Sequence, residues 1–390
     1  TTCDGKTMAA GSKLGDSAFS LPDLSLTSAR RITPTDVSQF VRLEQCERFL
    51  RLRLAERAGQ EFMEPYGVSP QRIPPLMSRS GGAFEDEVEN GVRGRFRTVN
   101  FATLAKKFHG RPADNQDVLH EASALKPGEA VVLFQTRLEA ELHGWWLRGD
   151  VDLIKLTRAG DGSLHALVGD MKATAEVKVE HRLQVAFYHL MLGELLSANG
   201  VATAERRTGI LYHPPVDPTP EEEAAAAACR SAAAAEFGLE DCLLEFVADQ
   251  EAYVRSAHDL VLGRESTAHR IAGSDLAVLP YCLSFKCDGC LYTEFCMKES
   301  AEREDLSLLP YLSGTEKEAL RRGGIATIGQ LATLKEFEPG GGSDLVPAPG
   351  REAQVRQLSA TWPVGPRLDE LVHRAKGFRR SVRKDGTRAL

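Results

Sequence analysis

Asp152, Asp170 and Lys172 are the residues whose types and spacing point most directly to chemistry. They fall in two short apolar segments, "GDVDLIKL" from Gly149 and "ALVGDMKATAEV" from Ala166. Carboxylates and ammonium groups are seldom fully buried without a partner. On two neighbouring strands the aspartates would offer oxygen ligands to a hard divalent cation. Magnesium or manganese takes one or two carboxylates and keeps its other positions for water and substrate phosphate. Such an ion neutralises the acidic pair, lowers the pKa of a bound water and stabilises charge on a phosphoryl group. Lys172, two residues after Asp170, shares its strand face. It is placed to orient or deprotonate the attacking water, or to stabilise developing negative charge. An acid-x-Lys triplet is a short pattern, and a rival, Glu176 with Lys178, lies next door.

The cysteines form the second constellation. The chain has eight: Cys3, Cys46, Cys229, Cys242, Cys282, Cys287, Cys290 and Cys296. Four crowd into "YCLSFKCDGCLYTEFC". With no export signal in view, this crowding favours a metal site over a disulfide framework. Cys287-x-x-Cys290 and Cys296 would share one soft metal or cluster. The fourth ligand is either Cys282, giving a local four-thiolate zinc site, or the distant Cys46 in "LEQCERFLRLRL". Cys229 and Cys242 read as ordinary cysteines in helical, apolar surroundings.

Around these residues the pattern is that of a globular chain. Its 390 residues suggest two or three domains. Apolar content is 42% and charged content 26%. The formal net charge of −7 excludes a polycation, so nucleic-acid contact would need local basic surfaces. Candidates are Arg30 and Arg31, then Arg42, Arg48, Arg51, Arg53 and Arg57 along one expected helix, and "HRAKGFRRSVRKDGTR" near the end. No apolar run approaches the ~18 residues of a membrane span. The first 25 residues lack a basic start followed by an apolar core, the mark of a secretory signal, so the expected location is cytoplasmic.

The segment from Thr33 to Arg57 reads as one helix, with Thr33 as N-cap, Pro34 at the first position and Asp36 in the first turn. "SGGAFEDEVENG" reads as a short acidic helix after a glycine pair. From Glu129 to Thr174 the alternation predicts strands, with a turn at Gly160–Gly162. "KVEHRLQVAFYHLMLGELLSANG" is a helix, on which Gln184 and Tyr188, four residues apart, share a face. "RRTGILYHPP" is a further strand, and Ala-rich and amphipathic helices fill 220–272. Helix, strands, helix and strand in that order give an α/β core. The expected organisation is a disordered leader at 1–30, a catalytic domain with the cysteine cluster at 31–300, a helical module at 301–336, a linker at 337–350 and a basic helical tail at 351–390.

The order G-x-x-D strand, turn, D-x-K strand, then a helix with Gln184 and Tyr188, resembles the RecB-type branch of the PD-(D/E)XK nuclease superfamily. The resemblance runs from about Ser38 to Leu334, and its motifs map onto Gly149–Asp152, Asp170–Lys172 and Gln184–Tyr188. It implies a restriction-endonuclease-like core, a central mixed sheet flanked by helices. It implies that Asp152 and Asp170 bind magnesium or manganese, that Lys172 is catalytic, and that Gln184 and Tyr188 contact substrate or brace the site. Where the family usually has G-x-x-x-H, this chain has Gly81-Gly-Ala-Phe-Glu85, so Glu85 takes the histidine's place near the metal. Iron–sulfur members of the family, the AddB-type and CRISPR-adaptation nucleases, carry one cysteine before the core and three after it. That pattern implies a 4Fe–4S cluster on Cys46, Cys287, Cys290 and Cys296, with zinc as the alternative. "LLPYLSGTEKEALRRGGIATIGQLATL" resembles a helix-hairpin-helix-like module whose helix N-terminus would face a phosphate. Some relatives continue into a helicase or second nuclease-like region, so the basic ending reads as a minimal or truncated member. The implied activity is cleavage of single-stranded or end-containing DNA in repair, recombination or phage defence, with a helicase or other DNA-processing partner. The rival readings are a DNA-binding scaffold whose activity has lapsed, and a zinc-knuckle nucleic-acid binder.

Overall fold

The computed structural model describes residues 20–22, 24, 30–71, 75–102, 114–338 and 344–381, without the side chains of 75–78. Most of the expected leader and the last nine residues of the basic tail lie outside the described residues. The chain divides into two compact units. One holds Leu24–Tyr281 and Lys286–Tyr292; the other gathers Cys282–Phe285 and Thr293–Leu390.

The first unit is built on a seven-stranded mixed sheet, as expected of the restriction-endonuclease-like core. Its strands are β1 (Arg30–Ile32), β2 (Arg97–Asn100), β3 (Ala130–Leu142), β4 (Trp145–Arg158), β5 (Leu164–Lys172), β6 (Thr203–Tyr212) and β7 (Leu243–Phe246). The order is β2-β3-β4-β5-β6-β7, with β1 added to β4. β3 and β4 form a long antiparallel hairpin turned at His143 and Gly144, with φ of 51° and 79°. Two successive positive φ values match the right-handed twist of the flanking strands. β5 returns antiparallel to β4, and the helix Val179–Ala198 crosses over to β6, which runs parallel to β5.

The register along β4 creates the opening that matters. On one side β4 is bordered by β3 almost throughout. On the other side β1 pairs with Trp145–Leu147 and β5 with Leu153–Arg158. Residues 148–152 therefore face a gap in the ladder. The helices Pro75–Arg93 and Pro220–Phe237 bring Phe84, Val88, Ala233 and Phe237 onto β-strand residues Phe134, Leu153 and Leu167 in one buried cluster. Burying each such side chain contributes about 1.5–3 kcal/mol.

Several expectations change in detail. The segment 33–57 is two helices, Pro34–Arg42 and Glu47–Arg57, because Glu44 and Gln45 adopt φ of 55° and 56°. Thr33 does cap the first helix, in a reciprocal box with Asp36. Cys46 sits at the N-cap of the second helix instead of on a continuous apolar stripe. Pro75–Arg93 is one helix running through the glycine pair instead of starting after it. The short strand β7 interrupts the helices of 220–272, and Cys242 precedes it in the buried cluster, outside any helix.

Of the arginines expected to form a basic surface, those of 42–57 have partners within the fold. Arg48 and Arg51 are buried. Arg53 and Arg57 both clamp Asp36, at 2.6 and 2.9 Å, and Arg42 donates to the Gly289 carbonyl at 2.6 Å.

In the second unit the helices Gly314–Arg322, Ile328–Ala332, Glu352–Ser359 and Leu368–Arg380 share one core around Leu320, Ile328, Leu331, Leu358 and Leu371. The expected module at 301–336 and tail at 351–390 thus pack together. The ends of the expected linker pair as strands β8 (Lys335–Phe337) and β9 (Leu345–Pro347). At the glycine turn the N–H groups of Ala326 and Thr327 donate to Gln330, that of Ile328 to the Glu304 carbonyl, and that of Gln330 to Thr327.

Candidate active site

The last β4–β5 pair is Leu153 with Gly169. The next positions in that register are Asp152 and Asp170, so the two aspartates stand where the strands part. Like charges directly opposite on paired strands are destabilising, and this pair occupies the point where pairing stops. One Asp152 oxygen accepts the Met171 N–H at 2.8 Å, holding the carboxylate across the gap. Burial and the neighbouring Asp170 raise the Asp152 pKa well above the ordinary carboxylate value, against the pull of Lys172.

Asp170 is 1% exposed. Its Oδ1 accepts from Gln184 Nε2 at 3.3 Å, and its Oδ2 lies 2.6 Å from Lys172 Nζ. Burial works against the Lys172 ammonium, but Asp170, Asp152 and Glu85 outweigh it and raise its pKa. Lys172 Nζ therefore holds its proton at neutral pH, so in this state it acts as a positive charge and donor instead of a base.

Gln184 also donates to the Tyr188 hydroxyl at 3.1 Å, and that hydroxyl donates to the Asp150 carbonyl at 3.1 Å. The glycine of the G-x-x-D segment explains itself here. A Cβ on Gly149 would lie 2.5 Å from Tyr188 Cε1 and 3.3 Å from Pro34 Cδ. Only glycine lets the tyrosine ring lie against the strand. Glu85 arrives from helix Pro75–Arg93 and accepts from Gln135 Nε2 at 3.0 Å. Burial raises its pKa; Lys172 opposes this, while Asp170 and Asp86 add to it. Glu85 therefore stands in the same electrostatic field as the trio. The rival pair is set apart, with Glu176 and Lys178 both exposed beyond the end of β5.

Two residues of this neighbourhood escaped the sequence reading. Gln135 sits on β3 opposite Asp152, where the ladder skips a pair and Gln135 adopts φ 52°. It positions Glu85, and nothing in its sequence context marks it. His181 lies three residues before Gln184, a spacing that places both on one helix face. Its Nδ1 accepts the Lys178 N–H at 3.2 Å, leaving the ring proton on Nε2. Burial and Lys172 lower its pKa, against Asp170, so the ring is neutral at pH 7.

Among the described residues no group of three or more His, Cys, Asp or Glu side chains forms a ready-made metal cage. Magnesium does not require one, since one or two carboxylates with water and phosphate suffice. The donor set fits such an ion: Asp170 Oδ2 is buried with the single Lys172 ammonium beside it, and a second carboxylate is held against it at a cost in its own ionisation.

The family model of the PD-(D/E)XK nuclease superfamily matches residues 39–297, which include each of these residues. The chain belongs to the PD-(D/E)XK nuclease superfamily. These proteins are metal-dependent nucleases that typically use magnesium or manganese. No curated protein matches the sequence. A solved structure described as "Crystal structure of SSO0001" aligns at 11% identity over 70% of this chain and 87% of that one, with a TM-score of 0.29. That score carries no argument about this chain.

In this PD-(D/E)XK chain the cysteines fall into both units. Cys46, Cys287 and Cys290 belong to the sheet-containing unit, while Cys282 and Cys296 belong to the other. Burial raises the Cys46 pKa, with Cys287 adding to it and the N–H groups of Phe49 and Arg48 opposing. Burial, with Cys46 and Cys287, pushes the Cys290 thiol up to about 11. These three thiols are therefore mutual neighbours. Cys229 lies on the helix Pro220–Phe237. No helix among the described residues is long and apolar enough to cross a membrane.

Proposed function

We propose that the protein is a divalent-metal-dependent deoxyribonuclease that hydrolyses phosphodiesters in single-stranded or end-containing DNA. The observation that carries this is the meeting of Asp152 and Asp170 at the end of the β4–β5 ladder, with Lys172 2.6 Å from Asp170. Asp152, Asp170 and Glu85 would hold magnesium or manganese, which supplies Lewis acidity toward the phosphodiester. Lys172 keeps a proton at Nζ and offers positive charge to the negative charge that develops on phosphate oxygens. Gln184 fixes the Asp170 carboxylate through Oδ1, and Tyr188 fixes Gln184 while anchored on the Asp150 carbonyl. His181 presents Nε2–H as a neutral donor beside Lys172. Gln135 orients Glu85. The test incubates labelled single- and double-stranded DNA with manganese or magnesium and compares wild type with Asp170→Ala and Lys172→Ala. Metal-dependent cleavage lost in both variants is expected; equal cleavage by all three proteins would remove the site.

The RecB-like and iron–sulfur assignments belong to the same reading. Cys46, Cys287 and Cys290 supply three neighbouring thiols, and Cys296 is the fourth on its spacing in the sequence. A 4Fe–4S cluster on these residues would act as a staple, since metal binding is coupled to folding. Aerobic and anaerobic preparations are compared for iron, sulfide and zinc. Iron and sulfide in equal amounts, lost in Cys287→Ser, support the cluster; a colourless zinc-loaded protein overturns it. A cytoplasmic DNA-processing role beside a helicase fits this activity and is tested by co-purification.

A further inference from the structure

The second unit carries a surface that the nuclease chemistry does not use. Phe337, at the end of β8, is 38% exposed. The last helix, Leu368–Arg380, passes beside it. His373 lies 5.6 Å from the Phe337 ring, Lys376 Nζ 5.6 Å and the Arg380 guanidinium 5.4 Å from its centroid. Positions 373, 376, 377 and 380 recur at helical spacing, so they form one face.

The charges on this face lack the pairing seen elsewhere on the same helix. Glu370 holds Arg367 and Arg374, and Asp369 holds Lys335. Among the described residues Lys376 and Arg380 form no ion pair. Burial lowers the Lys376 pKa, Glu336 opposes this, and Arg380 lowers it further. Two cations are thus crowded against one exposed aromatic ring, with Glu336 as the carboxylate in range. The two cations repel each other, and an anion bound between them would relieve that repulsion.

Gly377 is the second observation. It lies within the helix, where glycine costs about 1 kcal/mol relative to alanine. A Cβ there would meet nothing within 4 Å. No packing in the fold requires the glycine, and its bareness leaves the helix backbone open to close approach between Lys376 and Arg380.

We propose that Phe337, His373, Lys376, Gly377 and Arg380 form a binding surface for single-stranded DNA. One base stacks on Phe337 while flanking phosphates take Lys376 and Arg380. Nucleic-acid grooves that combine an aromatic platform with a cationic track bind single strands in this way. The surface lies outside the catalytic constellation, and its binding does not depend on cleavage.

The test measures binding of a labelled single-stranded oligonucleotide to the full chain in EDTA, by fluorescence anisotropy across a salt series. Lys376→Ala/Arg380→Ala is expected to bind about tenfold more weakly. Its log–log salt slope should be shallower by about 1.4, the value for leaving two phosphates of a single strand without their cationic partners. Phe337→Ala should also weaken binding about tenfold, with the slope unchanged. Gly377→Glu, which fits open space and improves helix propensity, should weaken binding in a protein that melts no lower than wild type. Because binding is read in EDTA without cleavage, its loss in the surface variants is separable from loss of the nuclease activity. Wild-type affinity and slope in the three surface variants overturn the proposal. So does equal binding of inorganic polyphosphate with no effect of Phe337→Ala, which would mark a general polyanion patch. Tighter binding of the matching RNA strand overturns the assignment to DNA.

Discussion

Gly149→Ala is the sharpest probe of the candidate site, because it adds one methyl group and touches no charged residue. That methyl would lie 2.5 Å from Tyr188 Cε1, 3.1 Å from Cδ1 and 3.3 Å from Pro34 Cδ. Carbon atoms prefer about 3.5–4.0 Å, so the ring must move by about 1 Å. Tyr188 is 1% exposed, so the space has to come from packed neighbours, at about 1–3 kcal/mol for overpacking. The same movement breaks hydrogen bonds of 3.1 Å to Gln184 and to the Asp150 carbonyl, worth about 0.5–1.5 kcal/mol each. Denaturant melts should show a loss of about 2–6 kcal/mol. Gln184 then no longer fixes Asp170, and misplacement by about 1 Å costs about 100-fold in rate. Tyr188→Ala should make the second substitution nearly silent, because the clash disappears with the ring. Wild-type stability and cleavage in Gly149→Ala would refute the close packing of ring on strand. Undiminished extra cost in the Tyr188→Ala background would refute Tyr188 as its cause.

Three other outcomes follow from the same coordinates. Asp36 is 2% exposed and receives both Arg53 and Arg57, so Asp36→Ala, which leaves two guanidiniums without their carboxylate, should cost about 3–5 kcal/mol in a denaturant melt; a loss under 1 kcal/mol would contradict it. Burial, then Arg206, lowers the His189 pKa to about 4 from 6.5; the unfolded chain takes up that proton first, so stability should fall by up to about 3 kcal/mol as pH drops through this window, and His189→Gln should flatten that slope. The Asp152 pKa is raised, so its stabilising contribution is complete below the ordinary carboxylate range and lost as pH rises through the folded value. Asp152→Asn should therefore melt higher than wild type in EDTA at pH 7, and should lose most of the stabilisation that magnesium confers on wild type; a lower melt in EDTA would sink this.

What the sequence disclosed and what it hid follow a physical line. Periodicity exposed β3 to β6 and the helix Val179–Ala198, because long amphipathic or apolar runs have few alternatives. The spacing of Asp170, Lys172, Gln184 and Tyr188 was legible because each pair is local to one element. β1, β2 and β7 have three or four residues each, too few for alternation to register. The break at Glu44 and Gln45 was hidden because two non-glycine residues there take left-handed conformations that composition does not announce. Gln135 was hidden for a related reason: its role arises from a left-handed backbone opposite Asp152, a tertiary fact. The arginines of 42–57 misled because charge counts carry no information about partners; Asp36 precedes Arg53 by 17 positions.

The gap beside residues 148–152 connects these findings. Had the β4–β5 ladder continued, Asp152 and Asp170 would sit directly opposite, and backbone pairing would have to hold like charges together. The Asp152 carboxylate instead takes the Met171 N–H. The parting strands thus place a side-chain oxygen on that donor and leave the remaining oxygens crowded, with Asp170 Oδ2 buried against the Lys172 ammonium. Lys172 alone cannot satisfy this arrangement, since one ammonium faces three carboxylates once Glu85 is included. A dication would balance what the lysine leaves. The local instability of the metal-free site and its capacity to bind a metal are therefore one property, and both vanish together if either aspartate becomes an amide.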